Sequence, residues 1–217
     1  MTAAAFILIA YLIGSLSFAV IVSRAFGLPD PRSYGSGNPG ATNVLRTGKK
    51  AAAALTLFGD GAKGWLAVFL ATRYAAEYGV DANGIAACAV AVFLGHLFPV
   101  FFGFKGGKGV ATAAGILFAI NLWLGLATLA TWAVIAAIFR YSSLAALIST
   151  LFAPLYSFFL FGVNASLPAL MLMALLLVWR HKANILNLAA GKESRIGEKK
   201  DGAQENSQPA SGETGGV

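Results

Sequence analysis

Five long stretches of this 217-residue chain carry no charged side chain, or at most two. They cover residues 2–23, 51–72, 82–104, 109–139 and 141–179. A helix needs about 20 mostly apolar residues to cross a membrane, where only helices and closed barrels satisfy their own backbone hydrogen bonds. Charged residues make up 12% of the chain, whereas soluble domains average about 25%. The sequence therefore predicts an all-α membrane protein.

Two of these stretches are too long for a single helix. Residues 141–179 contain a turn-like segment between Gly162 and Pro168, so we divide them into two helices. The 31 residues of 109–139 would extend about 46 Å as one helix, against a hydrocarbon core of about 30 Å. A break near Ile120 and Asn121 gives seven transmembrane helices in total.

The basic residues favour seven helices with the N-terminus outside and the C-terminus in the cytoplasm. In that arrangement 14 of the 16 lysines and arginines lie on the cytoplasmic side. A single long fourth helix would place the basic C-terminal segment outside, against the positive-inside rule. The same rule accounts for the net charge of +7, and we expect no nucleic-acid partner. We expect residues 1–193 to form the membrane domain and residues 194–217 a disordered polar tail.

A first polar loop on the predicted cytoplasmic side is rich in glycine. Its glycines permit backbone conformations in which successive N–H groups turn inward and bind an anion. Its other side chains add hydroxyl, amide and guanidinium donors. These residues are Gly35, Ser36, Gly37, Asn38, Gly40, Thr42, Asn43 and Arg46. The loop predicts a phosphate site at the membrane surface, and the alternative is a tight surface turn.

A second loop places Lys105, Gly106, Gly107 and Lys108 just before a predicted helix. Glycines at a helix N-terminus favour anion binding. The spacing is not that of a nucleotide-binding P-loop, because Phe102 stands where that motif needs glycine. The alternative is a basic turn that touches lipid head groups.

The remaining cytoplasmic segments contain further polar candidates. His181 and Asn184 are three residues apart and would share one face of a helix. His181 could act as a base or donate to a phosphate, and the alternative is a basic helix end that extends into the interface. Ser143 lies in a short loop, where capping of the next helix is the simpler interpretation.

Two charged residues interrupt the second apolar stretch. Asp60 and Lys63 are three apart on the predicted helix, which predicts a structural ion pair there. The alternative is a role in positioning the site. His96, near the end of the next stretch, is interpreted as a structural hydrogen-bonding residue. We predict no metal site and no cofactor, because the few His, Cys, Asp and Glu residues show no ligand spacing.

Several of these segments together resemble one known family. Residues 35–46, 95–112 and 180–193 are similar to the motifs of the bacterial acyl-phosphate:glycerol-3-phosphate acyltransferase family, PlsY. Gly14-Ser15, residues 60–64 and residues 141–144 are similar to it as well, so the resemblance covers nearly the whole chain before the tail.

The resemblance implies a multi-pass enzyme of the bacterial cytoplasmic (inner) membrane with its active site on the cytoplasmic side. It would transfer a fatty acyl group from acyl phosphate to the sn-1 hydroxyl of glycerol 3-phosphate. The products would be 1-acyl-sn-glycerol 3-phosphate (lysophosphatidic acid) and phosphate, in the first acylation of phospholipid biosynthesis. Its partners would be these two substrates and the lipid bilayer, and nothing requires more than a monomer. The alternative function is a membrane transporter of a phosphorylated solute.

The resemblance also implies which residues carry the chemistry. The positions that match catalytic residues of the family are Ser36, Ser143, His181 and Asn184. Phosphate and substrate binding is assigned to both glycine loops, to Arg46, Lys105 and Lys108, and to Glu193. The general base is either His181 or a phosphate oxygen of the donor. Acyl phosphate is already an activated mixed anhydride, so no acyl-enzyme intermediate is required.

Overall fold

The computed structural model describes residues 2–197, apart from the side chains of residues 75 and 76. All regular elements in this range are helical, as predicted. In chain order the α-helices are α1 (Ala3–Gly14), α2 (Phe18–Ala25), α3 (Ala41–Leu45), α4 (Lys50–Tyr74), α5 (Ala82–Leu97), α6 (Val110–Ile120), α7 (Leu122–Phe139), α8 (Ser142–Phe161), α9 (Ser166–Arg180) and α10 (Lys182–Ala189). Short 3₁₀ turns, Ala75–Tyr78 and Val100–Phe102, follow α4 and α5.

Helix length and composition distinguish the candidate membrane spans. Four segments are long and apolar enough to cross a membrane alone, namely α4, α5 with the following 3₁₀ turn, α7 and α8. The bent pairs α1–α2 and α9–α10 raise the number to six if each pair is one span. One predicted span remains, the fourth in chain order. It corresponds to α6, whose 11 residues extend only about 16 Å.

The first predicted span is broken. Helices α1 and α2 meet at a 40° bend around residues 15–17. A break inside a membrane leaves carbonyl groups that need donors. The Lys63 ammonium, from α4, donates to the Leu16 carbonyl over 2.6 Å. The sequence had predicted an uninterrupted helix here, because neither Gly14 nor the serines at 15 and 17 lower the hydropathy enough to mark an end.

The predicted division of the fourth apolar stretch is confirmed. Helix α6 ends at Ile120, and Asn121 adopts an extended conformation between the two helices. The Asn121 side-chain oxygen accepts hydrogen bonds from the backbone N–H groups of Trp123 (2.9 Å) and Leu124 (3.2 Å), which caps α7. The division of residues 141–179 is confirmed as well, since α8 ends at Phe161 and α9 begins at Ser166.

Glycines bring two pairs of helices into close backbone contact. A Cβ atom added to Gly14 or Gly95 would collide with the backbone of the facing helix, α5 or α1. A Cβ added to Gly115 of α6 would meet the Gly61 carbonyl of α4. The Thr112 hydroxyl also donates to the Asp60 carbonyl over 2.9 Å. Small residues at helix contacts are typical of membrane proteins, and these contacts fix α6 against α4.

The predicted polar tail begins inside the described residues. The Ile196 N–H donates to the Arg140 carbonyl, and the Arg140 side chain donates to the Ile196 carbonyl over 2.9 Å. This contact holds the segment after α10 against the link between α7 and α8. Residues 198–217, most of the predicted disordered tail, lie outside the described part of the chain.

Candidate active site

One buried side chain organises the first glycine loop. The Asn43 side-chain nitrogen donates to the carbonyls of Pro31 (2.7 Å) and Tyr34 (3.1 Å). Its side-chain oxygen accepts the Ser36 N–H over 3.1 Å. The polar atoms of Asn43 are therefore used within the loop, and the side chain is only 2% exposed. Asn43 shapes this loop, and no polar group of its side chain is left over for a ligand.

The glycines of the first loop allow Arg46 to lie against it. Gly35 and Gly37 have positive φ angles of 60° and 65°, a region that side chains disfavour. A Cβ added to Gly35 would also collide with Asn43 and lie 3.1 Å from Cδ of Arg46. Ser36 and Arg46 are both exposed. The remaining predicted residues of the loop are exposed or half-buried, namely Asn38, Gly40 and Thr42.

The second loop is held by groups from two other segments. The Arg180 guanidinium donates to the carbonyls of Gly106 (2.8 Å) and Gly107 (3.2 Å). The Gly107 N–H donates to the His96 carbonyl over 3.2 Å. Both glycines are buried, whereas Lys105 is exposed. The backbone of this loop is thus fixed from α9 on one side and from α5 on the other.

The first and second loops meet each other. A Cβ added to Gly107 would lie 3.0 Å from the Pro39 carbonyl oxygen, in the middle of the first loop. The positive charge of Arg46 is close enough to Lys108 to disfavour its charged form. The sequence placed both loops on one side of the membrane, and the structure brings them into contact.

A chain of side-chain hydrogen bonds joins the second loop to the C-terminal segments. The Lys108 ammonium donates to the Asn184 side-chain oxygen. The Asn184 side-chain nitrogen donates to Oε1 of Glu193 over 2.7 Å, and the Ser143 hydroxyl donates to the same oxygen over 2.6 Å. Four predicted site residues from three separate segments are therefore directly connected. Ser143 bonds to Glu193 and does not cap α8, which corrects the simpler interpretation.

Lys108 is the cation of this chain of hydrogen bonds and lies in the loop before α6. Burial lowers the pKa of its ammonium group, and the nearby charges of Arg180 and Arg46 lower it further. The Glu193 carboxylate acts in the opposite direction and raises the pKa. A cation in such surroundings gains much from a bound anion, because the anion neutralises repulsion that water no longer screens.

His181 lies at the 58° bend between α9 and α10. It therefore precedes α10, which contains Asn184, and the two residues do not share one continuous helix as the spacing had predicted. The His181 side chain is 2% exposed, and its Nδ1 lies 2.8 Å from the Leu177 carbonyl oxygen. A carbonyl only accepts, so Nδ1 carries a proton and Nε2 is the nitrogen left for other interactions.

Two residues that hold the second loop are not among the predicted site residues. The sequence indicates Arg180 only as the first residue of the segment 180–193, and it predicts a structural hydrogen bond for His96. The buried ion pair between Asp60 and Lys63 is confirmed, with 2.8 Å between Lys63 Nζ and Asp60 Oδ1. The sequence signals that point to Arg180 are its place at the start of the segment 180–193 and its adjacency to His181.

Comparison with known proteins identifies the family. The sequence model of the family described as glycerol-3-phosphate acyltransferase matches residues 4–191. The chain belongs to this family. Similar glycerol-3-phosphate acyltransferases occur in Ralstonia pickettii (68% identity, 91% of this chain and 96% of that protein) and in Cupriavidus pinatubonensis (66% identity, 90% and 96%). The predicted resemblance to PlsY is confirmed.

Solved structures of a related glycerol-3-phosphate acyltransferase have the same fold. The crystal structure of PlsY in its glycerol 3-phosphate form is 38% identical to this chain, with a TM-score of 0.84 over 91% of this chain and 96% of that one. The lysophosphatidic acid form of PlsY gives 36% identity and a TM-score of 0.83 over the same shares. PlsY is an integral membrane enzyme. This glycerol-3-phosphate acyltransferase is accordingly a multi-pass membrane protein and not a transporter.

Proposed function

We propose that this glycerol-3-phosphate acyltransferase uses acyl phosphate as its acyl donor and the sn-1 hydroxyl of glycerol 3-phosphate as its acceptor. The products are lysophosphatidic acid and inorganic phosphate. The observation that carries the proposal is the hydrogen-bonded chain from Lys108 through Asn184 and Glu193 to Ser143, with the Arg46 charge beside it. Both substrates carry a phosphate, and a cluster of basic residues at the ends of apolar helices suits both these phosphates and an acyl chain that stays in the lipid.

Arg46, Lys105 and the glycine loops bind the phosphates in this proposal. Arg46 offers a planar pair of donors, which suits a phosphate. Lys108 and Asn184 lie deeper, where a bound anion is less screened by water. Preorganised donors of this kind stabilise the charge that develops on the leaving phosphate and on the tetrahedral oxyanion. The Ser36 hydroxyl, which belongs to an exposed residue, adds a further donor to the first loop.

The acyl group passes directly from donor to acceptor. The sn-1 hydroxyl oxygen attacks the acyl carbon, and the bond between that carbon and the phosphate oxygen breaks. A carboxylate is a weak base, and Glu193 already accepts from both Ser143 and Asn184. It therefore orients the Ser143 hydroxyl without activating it as a nucleophile, which supports a reaction without an acyl-enzyme.

A phosphate oxygen of the donor accepts the hydroxyl proton. The proton then leaves with the inorganic phosphate, so no protein base has to be regenerated. His181 is almost completely buried, and its Nδ1 bonds to the Leu177 carbonyl of its own segment. Its role is to hold the bend between α9 and α10, which carries Asn184 to the site.

The chain crosses the bilayer of the bacterial inner membrane seven times, with the N-terminus outside and the site in the cytoplasm. Support comes from the contacts of Lys108 with Asn184 and of Ser143 with Glu193, because these residues must share one side of the membrane. Residue 108 precedes α6 and residue 143 follows α7, so α6 and α7 together form a hairpin that returns to that side. A monomer is sufficient for this function, since one chain supplies all four segments of the site.

The proposal is tested with purified protein and labelled glycerol 3-phosphate. Acyl phosphate, acyl-CoA and acyl carrier protein are supplied separately, and 1-acyl product is separated from 2-acyl product. We expect product only from acyl phosphate, acylated at sn-1. Product from acyl-CoA alone would overturn the donor assignment, and product acylated at sn-2 would overturn the acceptor assignment.

A further inference from the structure

A buried polar cluster lies below the second loop and has no part in the mechanism above. It consists of Asp60 and Lys63 of α4 and His96 of α5, which are 3%, 3% and 7% exposed. Asp60 Oδ1 lies 2.8 Å from Lys63 Nζ and 3.5 Å from His96 Nδ1. Charged groups inside a membrane domain are costly and generally have a specific purpose.

The contacts of Lys63 explain only part of this cluster. Lys63 donates to the Leu16 carbonyl at the break between α1 and α2, and Asp60 balances its charge. Neither contact requires a histidine. His96 Nδ1 has no hydrogen-bond partner of good geometry among residues 2–197, and Asp60 is the acidic group that faces it. The 3.5 Å approach of Asp60 Oδ1 is therefore the polar contact on the Nδ1 side of the His96 ring.

The opposite side of the His96 ring supports Gly107. A Cβ added to Gly107 would collide with Nε2 of His96 and lie 2.9 Å from its Cε1. The His96 carbonyl also accepts the Gly107 N–H over 3.2 Å. The backbone and the ring of His96 thus both contact Gly107 in the middle of the second loop. Arg180 binds the carbonyls of Gly106 and Gly107.

We propose that His96 is a positioning residue, oriented by Asp60, that fixes the second loop in the conformation that binds the phosphate of glycerol 3-phosphate. The inference rests on the proposed role of this loop in phosphate binding. His96 touches no substrate in this account. It acts by limiting where Gly107 and the following Lys108 can lie. Lys108 in turn donates a hydrogen bond to Asn184.

The geometry gives a double-mutant test. Gly107→Ala places a methyl group against the His96 ring, so it should weaken binding of glycerol 3-phosphate in the wild-type background. In a His96→Ala background the ring is absent, and the same methyl group should cost much less. Gly106→Ala is the matched control, because its methyl group would meet the backbone carbonyls of His96 and Leu97, which remain in either background. Its cost should be the same in both.

Binding is measured as the Kd of glycerol 3-phosphate by calorimetry, without any acyl donor. We expect His96→Ala alone to weaken binding by about 2- to 30-fold, the range for residues that act through a network. Hydrogen exchange of the amides of residues 105–109 should become faster in His96→Ala, while exchange in α7 and α8 is unchanged. The exchange measurement on this single variant tests the proposal even if the Gly107 variants do not fold.

Two results would separate the possible failures. If the wild-type protein binds glycerol 3-phosphate but the effects of Gly107→Ala and His96→Ala simply add, the ring does not position Gly107 and the inference is wrong. Unchanged exchange in the loop of His96→Ala would contradict it as well. If wild-type binding does not depend on the second loop at all, as shown by an unaltered Kd in Lys108→Met, the proposed phosphate role of the loop fails instead.

Discussion

The Lys108 ammonium donates a hydrogen bond to the side-chain oxygen of Asn184, 76 residues further along the chain. This contact joins the loop before α6 to the first turn of α10. Through Asn184 it extends to Glu193 and Ser143. The site therefore depends on residues that no local sequence pattern connects.

Replacing Lys108 by methionine should lower kcat/KM by about 10²- to 10³-fold, as for loss of one preorganised donor to a developing negative charge. Lys108→Met keeps an unbranched side chain of nearly the same length and removes its charge and its hydrogen bonds. The measurement is steady-state acyl transfer with both substrates varied. The matched control is Lys49→Met, which removes an exposed cation outside the site and should leave kcat/KM unchanged. Equal losses in both variants would mean that only the general surface charge matters.

The alkaline loss of activity should occur at a lower pH than if Lys108 had the pKa of an ordinary lysine. Burial, with the charges of Arg180 and Arg46, lowers the pKa of Lys108. The protonated form donates to Asn184 and attracts phosphate, so activity is retained below this pKa and lost as pH rises through it. Lys108→Arg should move the alkaline fall in kcat/KM to higher pH, because arginine stays charged. A pH profile that is the same in both proteins would show that another group titrates.

His181→Ala should reduce kcat by less than about 10⁴-fold, since a phosphate oxygen and not the imidazole accepts the proton. His181→Asn should recover part of the loss, because the asparagine amide can still donate to the Leu177 carbonyl from the position of Nδ1. Single-turnover rates measure both. A loss of 10⁴-fold or more, about the upper limit for a general base, with no recovery in His181→Asn, would identify His181 as the base.

Arg180→Lys should raise the KM for glycerol 3-phosphate about tenfold while kcat changes less. A lysine cannot reach both Gly106 and Gly107 with a fixed pair of donors, and a hydrogen bond from a charged group contributes about 1.5–3 kcal/mol. Arg140→Lys is the matched control, because Arg140 also donates to a backbone carbonyl, that of Ile196, but outside the glycine loops. A similar rise in KM in both variants would contradict the assigned role.

Labelling of single cysteines tests the seven-span topology. Cys88 is the single cysteine of the chain and is buried, so Cys88→Ser provides the background. Asn164→Cys, in the link between α8 and α9, should react with a membrane-impermeant maleimide in intact spheroplasts. Lys182→Cys, in α10, should react only after the membrane is permeabilised. Labelling of Lys182→Cys in intact spheroplasts would place the site outside and overturn the proposed orientation.

The sequence predicted the helices well where a local property decides them. The break before α7 was visible because 31 apolar residues exceed the thickness of the bilayer, and Asn121 supplies the capping oxygen. The bend between α1 and α2 was not visible. It depends on Lys63, which lies 47 residues away and donates to the Leu16 carbonyl.

In the candidate site too, the sequence indicates the residues but not their long-range contacts. The resemblance to the family, together with residue type and the positive-inside rule, selected Lys108, Asn184, Ser143 and Glu193 without any knowledge of their contacts. The motif contains both Asn43 and Arg46, and it does not show that one is buried and the other exposed. Asn43 is buried within the loop it shapes, whereas Arg46 is exposed beside it.

By itself, the sequence determined that the chain folds as membrane helices, that its basic loops share one side, and which family it belongs to. These follow from hydropathy, charge and motif, each of which is a property of a short segment. Only the tertiary structure decided which groups hold the glycine loops, namely Asn43 for the first and His96 with Arg180 for the second. The reason is that a buried backbone group must find a partner wherever packing brings one near, and that partner can come from any helix.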